Sequence, residues 1–228
     1  MIRKLFTDIA DVYDRMNRVL SLGMDLHWRK VAVETIRETP PHILDLACGT
    51  GDLTFALARR FPDAEITGID ITPAMLELAR RKNSSPRIAF IEGNAQALSF
   101  TCAHPFSLVS CAFGFRNFPD KPAALAEARR VIAADGKLLV LEFFRPDVRL
   151  LGILTSLWIK MLAAIFASRN REGYTHLRQS MLTTVSATEF IALAEAAGFR
   201  LDKRKALFPC CTCLLFSVAE TAPPIACS

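Results

Sequence analysis

The sequence lacks an extended run of basic residues. No stretch of Lys or Arg is longer than three residues, and aromatic residues do not alternate with basic ones. The net charge of +5 is a mild excess, which suits contact with anionic lipid headgroups better than recognition of nucleic acid. We therefore expect no nucleic-acid partner.

A membrane-spanning run and a secretory signal are lacking as well. The most apolar segment, residues 150–167, falls short of the roughly 20 residues that a spanning helix needs, and Lys160 interrupts it. The opening residues turn acidic too early for a signal peptide. We expect a cytoplasmic protein in which residues 150–167 form either a buried helix or one that touches the inner face of the membrane.

A complete set of paired cysteines is the third absence. Seven cysteines are an odd number, which favours free thiols in a reducing compartment. Cys210, Cys211 and Cys213 lie close together, but no second pair completes the spacing of a zinc site. We predict no metal, and we interpret these cysteines as small buried side chains on a strand.

The chain does have enough apolar residues for one sizeable α/β domain, since 51% of its 228 residues are hydrophobic. Helical patterns come first, at 3–18 and 26–38. Strands are predicted at 42–47, 65–70, 87–92, 107–113, 137–143, 200–206 and 212–218. Helices are predicted between them, and their N-caps are Thr72, Asp120 and Ser186. This order predicts a doubly wound, mostly parallel sheet with an antiparallel hairpin at one edge.

The glycine loop, residues 45–52, follows the first predicted strand and is the most informative segment. Gly49 and Gly51 allow a ligand to approach the backbone, but Thr54 stands where a dinucleotide-binding loop has its third glycine. Asp45 and Asp52 suit a cationic ligand. The loop therefore predicts S-adenosylmethionine, which carries a sulfonium and an ammonium group, and it disfavours NAD.

Further candidates follow the later strands. Asp70 closes the second strand, where a carboxylate can accept hydrogen bonds from both ribose hydroxyls. Asn94 and Ala95 follow the third strand and could read the adenine edge. The predicted cofactor-binding residues are Asp45, Gly49, Thr50, Gly51, Asp70, Ile71, Asn94, Ala95 and Ala112. The alternative is that Asp45, Asp70 and Asn94 are ordinary turn or cap residues.

The fourth strand ends in the sequence Phe-Gly-Phe-Arg-Asn at residues 113–117. An arginine directly after a buried strand, at the same edge as the glycine loop, is expected to face the cleft. A plain surface arginine is the alternative interpretation of Arg116.

At this point the chain resembles the ubiquinone/menaquinone biosynthesis C-methyltransferase family over nearly its whole length. Residues 13–21 are similar to the family's Tyr-Asp-x-Met-Asn-x-x-Leu-Ser signature, and Trp28 lies where the family has its tryptophan. The glycine loop, Asp70, the Asn94–Ala95 pair and residues 113–117 match in order and spacing. Residues 172–181 are similar to a further family element, Tyr-x-Tyr-Leu-x-x-Ser.

The chain departs from the family pattern at several positions. Asp25 stands where the family usually has histidine, and His176 replaces a tyrosine. Residues 133–135 are Ala-Ala-Asp where the family has Lys-Pro-Gly, although Gly136 keeps a turn there. Phe144 replaces a serine, and residues 208–211 replace a glycine-rich hairpin. These changes bear on the substrate more than on the cofactor.

The resemblance implies a Rossmann-like class I methyltransferase with a seven-stranded, mostly parallel sheet, an antiparallel edge hairpin and an N-terminal helical cap. We expect one domain over 1–220, with a cap at 1–40, a cofactor-binding half at 41–145 and substrate-side helices and the hairpin at 146–220. Residues 221–228 are expected to form a disordered tail. The sequence is also compatible with a homodimer.

The implied reaction is transfer of a methyl group to a ring carbon of a reduced polyprenyl quinone. The predicted catalytic residues are Arg116, Asn117, Asp52 and Tyr13. Arginine is a poor base because its pKa exceeds ~12, so Arg116 is expected to polarise a water or stabilise the phenolate, with Asn117 and Asp52 orienting it. Tyr13 is expected over the cofactor; a packed aromatic on the cap is the alternative.

Several other functions remain open from the sequence. The substrate is expected to be demethylmenaquinol, with the benzoquinol of the ubiquinone pathway or another small phenol or lipid as alternatives. A more distant alternative is a protein that binds S-adenosylmethionine without catalysis. The apolar segment 150–167 is expected either to form a mouth for an isoprenoid tail at the membrane surface or to cover the sheet edge.

Overall fold

The computed structural model describes residues 2–99, 105–145, 157, 179–180, 183–207 and 211–220. The predictions for the tail at 221–228 and for Cys210 and His176 lie outside these residues. The same holds for the apolar segment 150–167 apart from Leu157, and for the element at 172–181 apart from residues 179–180. Within the described residues, no helix is long and apolar enough to cross a membrane.

The described residues form a seven-stranded sheet in the order β3-β2-β1-β4-β5-β7-β6. Strands β1 to β5 are parallel, and β7 runs antiparallel to both β5 and β6. The predicted mixed sheet with an antiparallel edge hairpin is therefore confirmed. The strands are β1 (His42–Leu46), β2 (Glu65–Asp70), β3 (Ile88–Glu92), β4 (Phe106–Ala112), β5 (Ile132–Glu142), β6 (Phe199–Leu207) and β7 (Cys211–Val218).

Both faces of the sheet are covered by apolar side chains. Leu57, in the helix after β1, and Phe61, directly after that helix, belong to the core on one face, and Leu125 and Phe190 belong to the core on the other. Four of the five residues of β1 are buried, as expected for a central parallel strand with helices on both sides. Cys211 and Cys213 are buried free thiols on β7, which confirms the strand interpretation for these two.

Six helices are described: α1 (Ile2–Leu20), α2 (Met24–Glu34), α3 (Asp52–Arg60), α4 (Pro73–Lys82), α5 (Lys121–Val131) and α6 (Ala187–Ala196). Asp120 caps α5 by accepting a hydrogen bond from the N–H of Ala123, and Ser186 and Glu189 form the predicted capping box of α6. Thr72 occupies the N-cap position of α4, but its side chain makes no capping hydrogen bond. Helix α2 ends at Glu34, before the predicted residue 38.

Strand β5 begins earlier than the sequence predicts. Ile132 already pairs with Phe106, whereas the next pair joins Lys137 to Leu108, so the four residues 133–136 stand opposite a single residue of β4. The turn expected at 133–135 is thus an irregularity inside β5. At Gly136 a Cβ atom would lie 3.0 Å from the carbonyl oxygen of Ala133, which explains the need for glycine.

The site described below is positioned by the reversal of strand order between β1 and β4. The chain proceeds outward from β1 through β2 to β3, and then crosses back to place β4 on the other side of β1. In open α/β sheets a ligand binds at such a reversal, outside the carboxyl ends of the strands. Helix α1 lies against α4 there, through Ala10, Met16 and Met75.

Candidate functional site

A cleft of about 400 Å³ opens at the carboxyl ends of β1, β2 and β4. Helix α1 contributes Arg3, Phe6 and Tyr13 to its lining, and Phe113 and Phe118 add aromatic surface. Eight of the predicted site residues line this cleft: Tyr13, Gly49, Asp70, Ile71, Asn94, Ala95, Ala112 and Asn117. Residues that the sequence did not single out, such as Met75 and Gln96, complete it.

The glycine loop turns sharply through a series of left-handed residues. Ala47, Gly49 and Gly51 have φ values of 50°, 56° and 88°, a conformation that costs about 1–2 kcal/mol for a residue with a side chain. Nothing lies within 4 Å of a Cβ atom placed on Gly49, whereas a Cβ atom on Gly51 would be 2.7 Å from the ring of Phe55. Gly49 therefore leaves space open on the cleft, and Gly51 allows close packing underneath.

The carboxylate of Asp70 joins the loops after β1 and β2. One oxygen accepts a hydrogen bond from the N–H of Gly49 at 2.9 Å, and the other accepts one from the N–H of Thr72 at 2.8 Å. Burial raises the pKa of Asp70, while these two hydrogen bonds work in the opposite direction. Each oxygen keeps a second lone pair, so Asp70 can shape the loop and still accept hydrogen bonds from a ligand.

A second, smaller cavity adjoins the cleft and shares Tyr13, Ala47, Gly49 and Ala112 with it. We call it the charged cavity, because its other lining residues include charged ones. They are Arg29, Asp45, Cys48, Thr50, Asp52 and Leu53. Its volume is about 20 Å³.

Asp45 is fully buried in the wall of the charged cavity. Its two oxygens accept hydrogen bonds from Thr54 Oγ1 at 2.6 Å and from Ser110 Oγ at 2.7 Å. Burial raises its pKa to about 6, even though both hydrogen bonds favour the charged form. Asp45 thus lies on the predicted site, but its nearest partners are two hydroxyl groups of the protein.

Asp52 is paired with two arginines from the N-terminal helices, in a cluster that the sequence alone does not predict. Arg18 Nη2 lies 2.9 Å from the Asp52 carboxylate and Arg29 Nη2 lies 3.7 Å from it. Both arginines also pair with Asp25. Burial raises the pKa of Asp52, but Arg29 and Arg18 outweigh that effect and keep this pKa below its usual value. Within this cluster, the sequence indicates only the pair of Asp25 and Arg29, because residues four positions apart on a helix lie close enough to form an ion pair.

Thr50 connects the glycine loop to helix α1. Its hydroxyl donates a hydrogen bond to Asp14 at 2.5 Å, and Lys82 Nζ bonds both Asp14 and the carbonyl oxygen of Thr50. Thr50 lines the charged cavity, not the cleft. Together with the pair between Arg18 and Asp52, these contacts fasten α1 over the loop.

Within the described part of the chain, Arg116 does not line the cleft, contrary to the expectation from the sequence. Its guanidinium forms an ion pair with Glu142 at 2.9 Å and bonds the carbonyl oxygen of Phe113, and its side chain is only 7% exposed. Asn117 lines the cleft and Arg116 does not. Asp52 and Arg116 form ion pairs with different partners: Asp52 with Arg18 and Arg29, and Arg116 with Glu142.

Comparison with known proteins identifies the family and the fold. The sequence pattern of the ubiE/COQ5 methyltransferase family matches residues 1–216. The demethylmenaquinone methyltransferase of Deinococcus radiodurans is 40% identical over 213 residues, which cover 91% of this chain and 88% of that one. The Thermus thermophilus protein of the same name is 40% identical over 86% of this chain and 91% of its own length. Among solved structures, a plantazolicin methyltransferase with bound SAH has a TM-score of 0.68 at 15% identity, covering 93% of this chain and 90% of that one.

The two loop glycines make a matched pair of variants. Gly49→Ala should lower the free energy of unfolding by about 1–2 kcal/mol, because the added methyl group meets no other atom and the only cost is that of a left-handed backbone with a side chain. Gly51→Ala should lose about 1–3 kcal/mol more from the contact with Phe55. Chemical denaturation measures both values. Titration calorimetry with S-adenosylmethionine should show the larger loss of affinity for Gly49→Ala, because its methyl group would occupy the cleft; wild-type affinity in that variant would contradict this.

The raised pKa of Asp45 predicts a pH dependence of stability. A folded-state pKa of about 6 against about 3.9 in an unfolded chain means that the folded protein binds the proton more tightly. This carboxyl group therefore costs stability as pH rises from about 4 to about 6, and the cost stays constant above that range.

Asp45→Asn removes this titration. The variant should gain stability relative to wild type between pH 4 and pH 8, on the order of 3 kcal/mol at about 1.4 kcal/mol for each pKa unit. Urea unfolding of both proteins at the two pH values measures the change, and other titrating groups cancel in the difference. A difference that is the same at both pH values would contradict the assignment.

Proposed function

The chain belongs to the ubiE/COQ5 methyltransferase family, whose members use S-adenosylmethionine in quinone biosynthesis, and on that premise we propose that it methylates demethylmenaquinol to menaquinol. The proteins from D. radiodurans and T. thermophilus carry the name demethylmenaquinone methyltransferase. They match most of this chain and are themselves covered over most of their length, which supports the same substrate class here.

The observation that carries the proposal is the division of the site into an apolar cleft and a charged cavity. The cleft offers Asp70 and Asn94 to a ribose and a base, with apolar residues such as Ile71 and Ala95 around them. The charged cavity offers carboxylates to the sulfonium and ammonium groups. The residues present therefore fit S-adenosylmethionine, which when bound supplies an electrophilic methyl group.

The aromatic surface of the cleft suits a flat quinol ring. Phe113 and Phe118 line it, and the rings of Phe113 and Phe143 stack with centroids 4.7 Å apart. Trp28 packs edge-on against Phe143 from the cap. These side chains hold one another in place, so the parts of Phe113 and Phe118 that line the cleft can bound and orient a flat ring.

Proton handling at the quinol falls to the residues after β4. The proton of the reacting hydroxyl group, and afterwards the proton of the ring carbon that gains the methyl group, leave to water. We assign to Asn117, which lines the cleft, the role of binding that hydroxyl group. Arg116 lies beside it and stabilises the developing phenolate by its charge, at a strength limited by its pairing with Glu142. Tyr13 covers the cleft from α1. Asp52 acts through Arg18 and Arg29, by fixing the cap.

The polyprenyl tail of such a quinol partitions into a bilayer, so contact with the membrane surface is part of the proposal. Leu22 and Leu26, at the junction of α1 and α2, are 60% and 51% exposed. Exposed leucines on the N-terminal cap of a protein that acts on a lipophilic substrate are suited to peripheral contact with lipid. The substrate is therefore best supplied in vesicles.

The substrate is tested by supplying methyl-labelled S-adenosylmethionine with demethylmenaquinol or with the demethylated benzoquinol, each reduced and held in vesicles. We expect label on a ring carbon of the naphthoquinol, at a kcat/KM at least about tenfold above that for the benzoquinol. The oxidised quinones serve as controls and should not react, because they have no hydroxyl group to ionise. Preferred labelling of the benzoquinol would place the protein in the ubiquinone pathway instead.

The charge of Arg116 is tested without leaving a buried charge unpaired. Arg116→Met alone would strand Glu142 and destabilise the fold by about 3–5 kcal/mol, so the double variant Arg116→Met/Glu142→Gln is the informative one. It should fold and bind S-adenosylmethionine like wild type, with kcat lowered about tenfold, which is less than the loss expected for a donor in direct contact with the phenolate.

Glu142→Gln alone keeps the arginine charge and a carbonyl oxygen that can accept its hydrogen bond, and it is the matched control. Because it removes the counter-charge of a buried arginine, it should be less stable than the double variant, so kcat is measured per folded molecule. It should retain more of kcat than the double variant does. Equal kcat in the wild type and the double variant would show that the Arg116 charge has no part in the reaction.

A further inference from the structure

Arg29 is a buried arginine with an unused donor. The residue is 6% exposed, and its Nη1 donates to the side chain of Asp25 at 2.7 Å and to its carbonyl oxygen at 3.1 Å. Its Nη2 lies 3.7 Å from Asp52, and its guanidinium lies 5.1 Å from the ring centroid of Phe113. The Nε atom has no hydrogen-bond partner among the described residues.

An unpaired buried donor costs about 1–3 kcal/mol, and native proteins have few of them. Within the described parts of the chain, the buried side-chain atoms without a partner are Nε of Arg29, Nε of Arg116, Nε of Arg129 and Oγ1 of Thr184. Of these four residues, Arg29 alone lines the cleft or the charged cavity. Arg29 is therefore the one of the four whose side chain a ligand in these cavities can contact.

The position of Arg29 defines which part of a ligand it would meet. The charged cavity and the cleft share Gly49 and Ala47 of the glycine loop, so a ligand whose nucleoside reaches Asp70 extends past Gly49 towards Arg29. The amino-acid end of S-adenosylmethionine carries one ammonium and one carboxylate. Asp45 and Asp52 suit the ammonium and the neighbouring sulfonium, but they repel the carboxylate.

We propose that Arg29 binds the α-carboxylate of S-adenosylmethionine where the cleft meets the charged cavity, and so fixes the amino-acid end of the cofactor. Among the residues that line this cavity, Arg29 is the one with a permanent positive charge. Its rigid position between Asp25 and Phe113 suits a planar donor to a planar carboxylate. This inference rests on the proposed use of S-adenosylmethionine in the cleft, and it adds a cofactor-binding residue supplied by the N-terminal cap.

The test compares two ligands that differ only by the carboxylate, S-adenosylmethionine and decarboxylated S-adenosylmethionine, by titration calorimetry. The wild type should bind the first about 10- to 100-fold more tightly, the range expected for a hydrogen bond to a charged group. Arg29→Met should lose most of that preference while binding the decarboxylated ligand within about threefold of wild type. A variant that weakens both ligands equally would show that Arg29 is structural, and would overturn the proposal.

Arg129→Met is the matched control, because Arg129 is also buried with an unpartnered Nε, but it lies on α5 and lines neither cavity. It should keep the wild-type preference. If Arg29→Met does not fold, Arg29→Met/Asp25→Asn removes the stranded carboxylate as well, and the same loss of preference is expected from it. Equal preference in this double variant and the wild type would overturn the proposal. A wild type that binds neither ligand would instead refute the use of the cofactor itself.

Discussion

The ion pairs of Asp52 with Arg18 and Arg29 connect the two halves of the site. Asp52 opens the helix after the glycine loop, and the arginines come from α1 and α2. Partly buried charges are stable only when each has a partner, and Asp25 completes the cluster by pairing with both arginines. The cap is consequently fixed over the loop by charges that would be costly to separate, and Tyr13 covers the cleft as a result.

The sheet could be predicted because its causes are local. Apolar strands that end in glycine or aspartate, and caps such as Asp120 and Ser186, are set by neighbouring residues in the chain. The start of β5 could not be predicted, since residues 133–136 are drawn into the strand by the pairing of Ile132 with Phe106. Phe106 lies far from Ile132 in the sequence, so no local pattern around residues 133–136 includes this partner.

The site, like the sheet, could be predicted only in part. Gly49, Asp70, Asn94 and Asn117 could be placed because they follow strand ends, and strand ends meet at one edge of the sheet. The orientation of Arg116 could not, because it is decided by Glu142, a partner 26 positions further along the chain. Arg29 could not be predicted for a related reason. Its sequence context is that of an ordinary helical arginine, and only the packing of α2 against the glycine loop brings it to the site.

The charges around the small cavity match the cofactor that the family uses. Arg18, Asp25, Arg29 and Asp52 carry two positive and two negative charges, and Asp45 adds one negative charge above its pKa of about 6. S-adenosylmethionine has a net charge of one positive, while the product of methyl transfer has lost the sulfonium charge and is neutral overall. On the proposed binding of the cofactor beside the charged cavity, an ionised Asp45 would stabilise the cofactor more than the product. The burial that makes Asp45 costly to the folded protein is the same property that makes its charge effective in the site.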